Sequence, residues 1–404
     1  MSRAVVAVTV TKASRAAFFV LATALVAYQF ETTYGLPAES TTFLVSMGSL
    51  AGLLRPLLGY WNDVRPLGTR RRKNYMGLGN VLYLASISLL LCLPDPSLAA
   101  GYATVLAALV IYGLGESFID VGTDSLVLDI ATTPAEKNRV QALARLGAAA
   151  GTLGTYALAM ATIGPGAPFP VLYAALAAAI VAGTVLTLRI DEPPVTRGQV
   201  MEQVARERPA IPAGYKATLW IAGIAILLTP LAEKLVTIPL EPWLMTRYGS
   251  LPAIFYGVEL ASAGIGIVAL AILVAALHRR PFNVAAFIIP GGIVGAIYYA
   301  GLPWLAPDLA SYAAWNTAKA VAGAFAVLGM ERVLMDVVKG ARKGATFQIF
   351  VLFSAAGSYG GFVLGAIIGE AVGIVPLLVA AGCIVAGAVA VYALVLAPRL
   401  KEVP

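Results

Sequence analysis

Charged residues are scarce in this sequence. Asp, Glu, Lys and Arg make up 12% of its 404 residues, whereas 59% of the residues are hydrophobic. In an average soluble domain about a quarter of the residues are charged. The shortage of charge therefore excludes an ordinary soluble enzyme and a disordered chain. It predicts a membrane protein with many membrane-spanning segments and no enzymatic activity.

Residue patterns that carry reactive chemistry are also missing. The two cysteines, Cys92 and Cys383, lie in separate apolar stretches, so the sequence has no disulfide framework and no cysteine-based metal or redox motif. The one histidine, His278, stands beside Arg279 and Arg280 and is expected in a solvated loop. No Gly-x4-Gly-Lys phosphate loop is present, which argues against ATP as an energy source. We predict no cofactor and no metal.

Twelve apolar stretches account for nearly the whole chain. A membrane-spanning helix needs roughly 20 apolar residues, and turn residues such as Pro94, Pro96 and Gly164 separate stretches of about that length. Two glycine-rich stretches, 147–154 and 357–365, suit close contact between helices. The sequence predicts an all-α membrane protein with twelve transmembrane helices, at about residues 14–33, 40–60, 74–93, 99–131, 139–163, 169–188, 216–240, 250–277, 283–302, 309–337, 345–369 and 373–397.

Basic residues mark one end of these predicted helices. If the N-terminus is cytoplasmic, the connections on that side hold nearly all loop Lys and Arg, whereas Arg247 is the basic residue of the opposite connections, with Lys234 at a nearby helix end. Cytoplasmic loops of membrane proteins are enriched in Lys and Arg. We therefore predict an integral protein of the cell (plasma) membrane with both termini in the cytoplasm. This distribution explains the net charge of +7 without nucleic-acid binding.

A charged stretch divides the chain into two halves that resemble each other. We predict a cytoplasmic linker at 191–215 between six-helix bundles at 1–190 and 216–404. The halves share residues at one constant offset, which indicates a duplication into two pseudo-symmetric bundles, an arrangement typical of transporters. The first half has Phe118, Gly122, Asp124, Asp129, Gln141 and Gly154, and the second has Phe325, Gly329, Glu331, Asp336, Gln348 and Gly361.

A Gly- and Arg-rich motif follows the second predicted helix. Gly59 is followed by Asp63 in a Gly-x3-Asp pattern, and Gly68, Arg70 and Arg71 form Gly-x-Arg-Arg. The motif resembles the signature loop of the major facilitator superfamily, with two extra residues between Asp63 and Gly68. The resemblance implies two six-helix bundles, a central cavity surrounded by the first, fourth, seventh and tenth helices, and transport by alternating access.

The longer form of this loop and the sequence of the fourth helix indicate which branch of the superfamily the chain resembles. The loop contains Pro56, Pro66 and Tyr75, and the fourth helix reads Asp-Val-Gly-Thr-Asp-Ser-Leu-Val-Leu-Asp from Asp120 to Asp129. Both are similar to the folate-biopterin transporter family and its relatives that handle pigments or cell-wall fragments, with Asp129 in place of that family's Glu. This resemblance implies a flat aromatic solute that bears carboxylates.

Charged residues near the predicted cytoplasmic helix ends are candidates for gating. Asp63 can pair with Arg70, Arg71 and the positive end of another helix only when the cytoplasmic ends of the two halves are together. Alternatively, the basic run only fixes the topology. Acids and arginines near the same helix ends are expected to form further gating or structural pairs: Asp124, Asp129, Glu331 and Asp336 with Arg139, Arg145 and Arg342.

Charges near the middle of predicted helices are the candidates for substrate and proton binding, since an ionised side chain there costs roughly 2.5 to 3.5 kcal/mol on insertion scales. Glu116 and Asp120 lie one turn apart on one face of the fourth helix, and Lys319 lies just outside the middle of the tenth. In one interpretation, Lys319 binds an anionic substrate while Glu116 or Asp120 exchanges a proton. In the other, Glu116 and Lys319 pair and stabilise the packing.

Other polar and aromatic residues extend this predicted site. They come from the tenth helix and from the outer parts of the first and seventh helices, where a solvated helix end is the alternative for the acids. The substrate candidates are Tyr312, Trp315, Asn316, Tyr28 and Gln29, and the proton candidates are Glu31 and Glu233.

Together these features predict a monomeric secondary active transporter that moves a small organic solute across the lipid bilayer by alternating access. We expect an organic anion, for example a pterin or folate, because Lys319 needs an anionic ligand or a fixed acid. Protons are the expected coupling ion, since the second predicted helix lacks the acids that sodium-coupled members of the superfamily carry there. The alternative is a non-transporting membrane assembly or pigment-delivery factor, which the loop pattern also resembles.

Overall fold

The computed structural model describes residues 3–22, 26, 44, 51–92, 99–131, 133–163, 169–192, 195–196, 198–200, 202, 215–249, 252–277, 285–338 and 343–402. These residues are predominantly helical; the described ranges contain no β-strand and one isolated bridge, between Leu67 and Arg70. The helices are α1 (Arg3–Val20), α2 (Arg55–Val64), α3 (Lys73–Leu91), α4 (Ala99–Ile130), α5 (Pro134–Ile163), α6 (Phe169–Leu188), α7 (Tyr215–Tyr248), α8 (Pro252–Leu277), α9 (Ala285–Leu305), α10 (Leu309–Val337), α11 (Lys343–Val372), α12 (Ile374–Ala390) and α13 (Ala397–Glu402). A 3-10 turn (Ala51–Leu54) precedes α2, and a π-helix (Val391–Leu396) joins α12 to α13.

The prediction of an all-α membrane protein is confirmed. Within the described part of the chain, seven helical segments are long and apolar enough to cross a membrane. At a rise of about 1.5 Å per residue, such helices span the hydrocarbon thickness. The seven are Lys73–Leu91, Ala99–Ile130, Pro170–Leu188, Lys216–Val236, Ala285–Leu305, Gly344–Gly369 and Ile374–Arg399.

Several predicted helix boundaries are wrong, and two of them affect the functional site. Helix α1 begins at Arg3 and not near residue 14, so that Lys12 and Arg15 lie within the helix. Helix α2 continues to Val64 and does not end near residue 60, so that Asp63 lies in its last turn. The boundaries were placed where apolar residues end, but charged residues that find partners inside the protein can continue a helix.

The chain divides into two compact units. The first comprises Met1–Glu136, Leu143–Arg208 and Gly340–Gln348, and the second comprises Lys137–Ala142, Pro209–Lys339 and Ile349–Pro404. The first turn of α11 therefore belongs to the first unit, whereas the rest of that helix belongs to the second. The bundle boundaries at 190 and 216 remain predictions.

In the first unit, α3 packs along α4, and α1 packs against α6. Glycines allow α5 to approach the backbone of α1 even more closely. A Cβ atom on Gly147 would collide with the carbonyl oxygen of Thr9, and one on Gly151 would collide with that of Ala13. Because a backbone carbonyl cannot move aside as a side chain can, these two positions require glycine.

In the second unit, α9 packs against α10 and α12, and α7 packs against α12. Helix α11 approaches α7 in the same way as α5 approaches α1. A Cβ atom on Gly357 or Gly361 would collide with the carbonyl oxygen of Leu227 or Leu231. The expectation that the glycine-rich stretches of both halves serve close helix contact is confirmed.

This packing predicts that two glycines of α5 respond differently to the same substitution. Gly151→Ala should lower the melting temperature, because the added methyl group meets the Ala13 carbonyl and overpacking costs about 1–3 kcal/mol. Gly154→Ala is the matched control, since a Cβ atom there has no neighbour within 4 Å. Thermal unfolding of both detergent-solubilised variants measures the difference. Equal melting temperatures would contradict the close α1–α5 contact.

Candidate functional site

Two buried carboxylates of α4 each contact two arginines from other helices of the first unit. Glu116 and Asp120 lie one turn apart on one face of α4 and are 6% and 3% exposed. Arg15 of α1 places Nη2 2.8 Å from Glu116 Oε1 and Nε 2.8 Å from Asp120 Oδ1. Arg55, the first residue of α2, places Nη2 3.4 Å from Glu116 Oε2 and Nη1 3.1 Å from Asp120 Oδ2. Each carboxylate is therefore shared between two guanidinium groups.

A lysine of α1 extends this arrangement along α4. Asp124 follows Asp120 by one more turn, and its Oδ1 lies 2.7 Å from Lys12 Nζ. The same ammonium lies 3.4 Å from Asp120 Oδ1. We name the six side chains the acid–base cluster: Lys12, Arg15, Arg55, Glu116, Asp120 and Asp124. Its three cations balance its three carboxylates, which reduces the cost of placing charges in a low-dielectric region.

Three aromatic rings pack in the apolar core of the first unit beside the cluster. Phe18 makes edge contacts with Tyr83 and Tyr112, at centroid distances of 4.6 and 5.0 Å. Both tyrosines are close enough to Glu116 and Arg15 to interact with them electrostatically. Their buried hydroxyl groups have no hydrogen-bond partner among the residues that the structure describes. The cluster is thus bordered by an apolar wall that carries two hydrogen-bonding groups.

A second buried network, which we name the Asp63 network, joins α2, α3 and α4. It consists of Asn62, Asp63, Arg72 and Asp129. The Arg72 side chain is 1% exposed and donates from Nη1 to Asp63 Oδ1 at 2.9 Å and to Asn62 Oδ1 at 2.6 Å, and from Nε to Asp129 Oδ2 at 2.8 Å. Burial alone would lower the pKa of Arg72, but the charges of Asp129 and Asp63 outweigh it and raise the pKa. Arg72 therefore stays charged.

The first turn of α11 is bound by acids of α2 and α4 within the first unit. Asp63 Oδ2 accepts a hydrogen bond of 2.8 Å from the backbone N–H of Ala345, and Gln348 Nε2 donates to Asp124 Oδ2 at 3.2 Å. The first N–H groups of a helix have no partner within the helix and carry partial positive charge. A fully buried carboxylate is a suitable acceptor for such a group. Asp124 thus links the acid–base cluster to α11.

In the second unit, Lys319 of α10 lies over two tyrosine rings. Its Nζ is 4.8 Å from the ring centre of Tyr298 and 5.2 Å from that of Tyr299, distances typical of cation–π contacts. Glu233 of α7 lies 3.2 Å from Lys234 Nζ and also interacts electrostatically with Lys319. An ammonium group, two aromatic faces and a carboxylate therefore meet in this part of the unit.

The other predicted substrate residues of α10 lie near Lys319 in sequence and within the second unit. Asn316 accepts a hydrogen bond of 3.3 Å from the Tyr298 hydroxyl. Tyr312 is 1% exposed, with its ring 5.8 Å from that of Tyr248, and Trp315 packs against the apolar core. These neighbours give both aromatic residues a packing role. Their predicted stacking on a substrate remains a prediction.

The predicted gating residues have several different neighbours. Asp124 contacts Lys12, Asp129 contacts Arg72, and Asp336 Oδ2 lies 3.0 Å from Arg332 Nε. Arg71 donates to the backbone oxygen of Asp63 at 2.7 Å.

Arg70 lines a surface pocket of about 620 Å³ with Lys73, Leu188, Arg189, Ile190, Asp191 and Glu192. Arg139 and Arg145 lie in α5 and Glu331 lies in α10; their predicted pairs remain predictions. Tyr28, Gln29, Glu31 and Arg342 lie outside the described residues.

The cations of the acid–base cluster were not predicted from the sequence. Lys12, Arg15 and Arg55 were not among the candidate site residues, and neither was Arg72 of the Asp63 network. The apolar run from Val5 to Val8 was a usable signal, because it extends the first helix toward the N-terminus and places Lys12 inside it. No comparable signal pointed to the partners of Arg55.

Comparisons with known proteins identify the family. The family model of the Major Facilitator Superfamily matches residues 9–330. No curated protein is significantly similar. Three solved structures share the fold over nearly their whole lengths. The human organic anion transporter MFSD10 (TETRAN) is 14% identical, with a TM-score of 0.73, 96% of this chain covered and 98% of that chain.

The proton:xylose symporter XylE, solved with 6-bromo-6-deoxy-D-glucose bound, is 12% identical with a TM-score of 0.74, and 97% of this chain and 96% of that chain are covered. A bacterial homologue of the iron transporter ferroportin in an outward-facing state is 14% identical with a TM-score of 0.72, covering 99% and 98%. At these identities the likeness concerns the fold, and it confirms the predicted twelve-helix architecture. The chain belongs to the major facilitator superfamily and is a membrane transporter, not an enzyme.

Proposed function

We propose that this protein is a proton-coupled secondary active transporter of an organic anion, and that the acid–base cluster couples the two. The observation that carries the proposal is the sharing of two buried carboxylates, Glu116 and Asp120, between Arg15 and Arg55. A carboxylate or phosphate group of a substrate can take the place of either acid at a guanidinium group, since Arg binds such anions with paired hydrogen bonds.

Coupling follows from competition for the two arginines. While Arg15 and Arg55 hold Glu116 and Asp120, the acids keep their charge. An anion that binds the arginines removes the partners of the acids, and an unpaired buried carboxylate binds a proton instead. By linkage, a proton on either acid equally favours binding of the anion. Anion and proton therefore bind together and leave together, as symport requires.

Lys319 of the second unit also bears on the substrate class. We propose a flat aromatic anion, of the pterin or folate kind that the loop and α4 resemblance suggests, and Lys319 is a second candidate cation for binding such an anion. Among transporters of this fold, MFSD10 is named as an organic anion transporter and XylE as a proton:xylose symporter. Both parts of the proposal thus have precedent within the fold, in proteins of low sequence identity.

We further propose that the hydrogen bond from the N–H of Ala345 to Asp63 Oδ2 acts as a gate during alternating access. The bond joins α2 to the first turn of a helix whose remaining turns belong to the second unit. In this proposal the protein works as a monomer in the cell membrane, with both termini and the gate on the cytoplasmic side.

The first experiment identifies a ligand and tests for transport. A thermal-shift panel compares folate, pterin-6-carboxylate and benzoate with xylose and alanine. We expect the anions to raise the melting temperature, and counterflow of the best anion in proteoliposomes to follow. Stabilisation by xylose alone contradicts the anion class. Stabilisation by an anion without any counterflow supports the alternative of a non-transporting assembly.

The coupling proposal predicts that Glu116→Gln and Asp120→Asn affect proton-driven uptake of the anion but not its exchange. At least one of them should abolish uptake driven by a proton gradient while keeping exchange of the anion for itself, because exchange needs no net proton movement. Anion uptake and the pH inside pyranine-loaded proteoliposomes are measured together. Wild-type accumulation and pH dependence in both variants would place coupling elsewhere.

A double variant distinguishes coupling from a purely structural ion cluster. Removing one partner of a buried ion pair costs about 3–5 kcal/mol, so Arg55→Gln should lower the melting temperature. Adding Glu116→Gln restores the charge balance and should recover part of the stability. Coupled uptake should stay abolished in this double variant. Recovery of uptake together with stability would show that the pair only supports packing.

The substrate proposal predicts a specific effect of Lys319→Ala. Binding of the anion should weaken about tenfold or more, since a hydrogen bond to a charged group contributes about 1.5–3 kcal/mol. The melting temperature should change little. Lys234→Ala is the matched control, because it removes the other ammonium group beside Glu233. A large fall in melting temperature that Glu233→Gln reverses would indicate a structural ion pair and remove Lys319 from the proposed contacts of the anion.

A further inference from the structure

The segment after α6 caps the start of α3, and a residue at the start of α3 caps the end of α6. The Glu192 carboxylate accepts hydrogen bonds from three consecutive backbone N–H groups, those of residues 71–73, at 3.1, 2.7 and 2.9 Å. In return, Lys73 Nζ donates to the carbonyl oxygens of Leu188 and Ile190, at 2.9 and 3.2 Å. A carboxylate thus caps the N-terminus of one helix, and an ammonium group caps the C-terminus of the other.

Other contacts hold the same segment in place. The N–H of Val195 donates to the carbonyl oxygen of Thr69 at 3.0 Å. Val195 also packs with Val64 and Val200 in a small apolar cluster. Val195 is therefore docked on the loop between α2 and α3, and the position of the Glu192 carboxylate does not depend on its hydrogen bonds alone.

The identity of the N-cap residue of α3 explains why the cap comes from elsewhere in the chain. N-cap positions favour Ser, Thr, Asp and Asn, whose side chains accept from the first N–H groups of the helix. Here the N-cap residue is Arg72, which makes no such bond. Its side chain instead contacts Asp63, Asn62 and Asp129. The N-cap residue is thus an arginine, whose side chain belongs to the Asp63 network and has no acceptor for the first N–H groups of α3. Glu192 supplies that acceptor.

We propose that Glu192 is a positioning residue for the gate. By fixing the backbone of residues 71–73, it directs the Arg72 side chain to Asp63, and Arg72 in turn holds Asp63 Oδ1 so that Oδ2 faces the N–H of Ala345. This inference rests on the proposed gate at Asp63. It assigns a transport role to the start of the charged linker.

Hydrogen exchange tests the chain of contacts without a substrate, because its end point is a single backbone amide. In the full-length protein, Glu192→Ala should speed exchange at residues 71–73 and also at Ala345, by roughly tenfold at each. The second effect is the decisive one, since a merely local cap would leave Ala345 unchanged. Glu192→Gln keeps an acceptor oxygen and should restore much of the protection at both places. It also serves if the alanine variant does not fold.

Two controls make the outcomes distinguishable. Asp191→Asn removes the neighbouring acid and should change neither set of amides, and the amides of residues 377–385 in α12 report global unfolding. Asp63→Asn should speed exchange at Ala345; if it does not, the gate itself is refuted. If Asp63→Asn does so but both Glu192 variants leave Ala345 protected, the gate stands and the positioning role of Glu192 is overturned.

Discussion

Charge neutrality within the first unit is the constraint on which the proposed site depends. A charged side chain buried in a membrane protein is tolerated when a partner of opposite sign lies within contact distance. Glu116, Asp120 and Asp124 lie on one face of α4, and their partners come from α1 and α2. These contacts fix both the rotation and the depth of three helices relative to each other. The same contacts make the cluster responsive, because a proton or an anion that enters it disturbs a balance of three charges against three.

Helix ends impose a related constraint at the Asp63 network. Each helix begins with N–H groups and ends with carbonyl groups that need partners from outside the helix. Asp63 satisfies the start of α11, Glu192 satisfies the start of α3, and Lys73 satisfies the end of α6. Because Arg72 donates from its backbone N–H to Glu192 and from its side chain to Asp63, these caps form one connected set of contacts. The proposed positioning role of Glu192 depends on this connection.

The helices and the acids of α4 could be predicted from the sequence, but the cations that contact these acids could not. Helical periodicity shows that Glu116 and Asp120 share a face, yet it does not show which helix that face meets. Lys12 and Arg15 were not identified as partners, because the enrichment of basic residues near the cytoplasm already accounts for a basic residue near a helix end. Arg71, which was expected beside Asp63, lies 3.8 Å from its Oδ1, and Arg72, which was not expected there, makes a shorter contact of 2.9 Å with the same oxygen. Glu192 was missed because its partners are backbone N–H groups, which no side-chain pattern reveals.

Asp124 connects the acid–base cluster to α11, the helix that Asp63 also binds. In the proposed transport cycle, it can therefore link proton binding in the cluster to the gate. Its Oδ1 binds Lys12, which also lies 3.4 Å from Asp120, and its Oδ2 accepts from Gln348 of α11. When Asp120 takes up a proton, Lys12 loses one of its two carboxylates and binds Asp124 alone. Lys12 then draws more negative charge toward Oδ1 of Asp124. Oδ2 of Asp124 becomes a weaker hydrogen-bond acceptor for Gln348 as a result. Because Asp63 also binds the start of α11, through the N–H of Ala345, we propose that the charge state of the cluster affects the contact of the proposed gate.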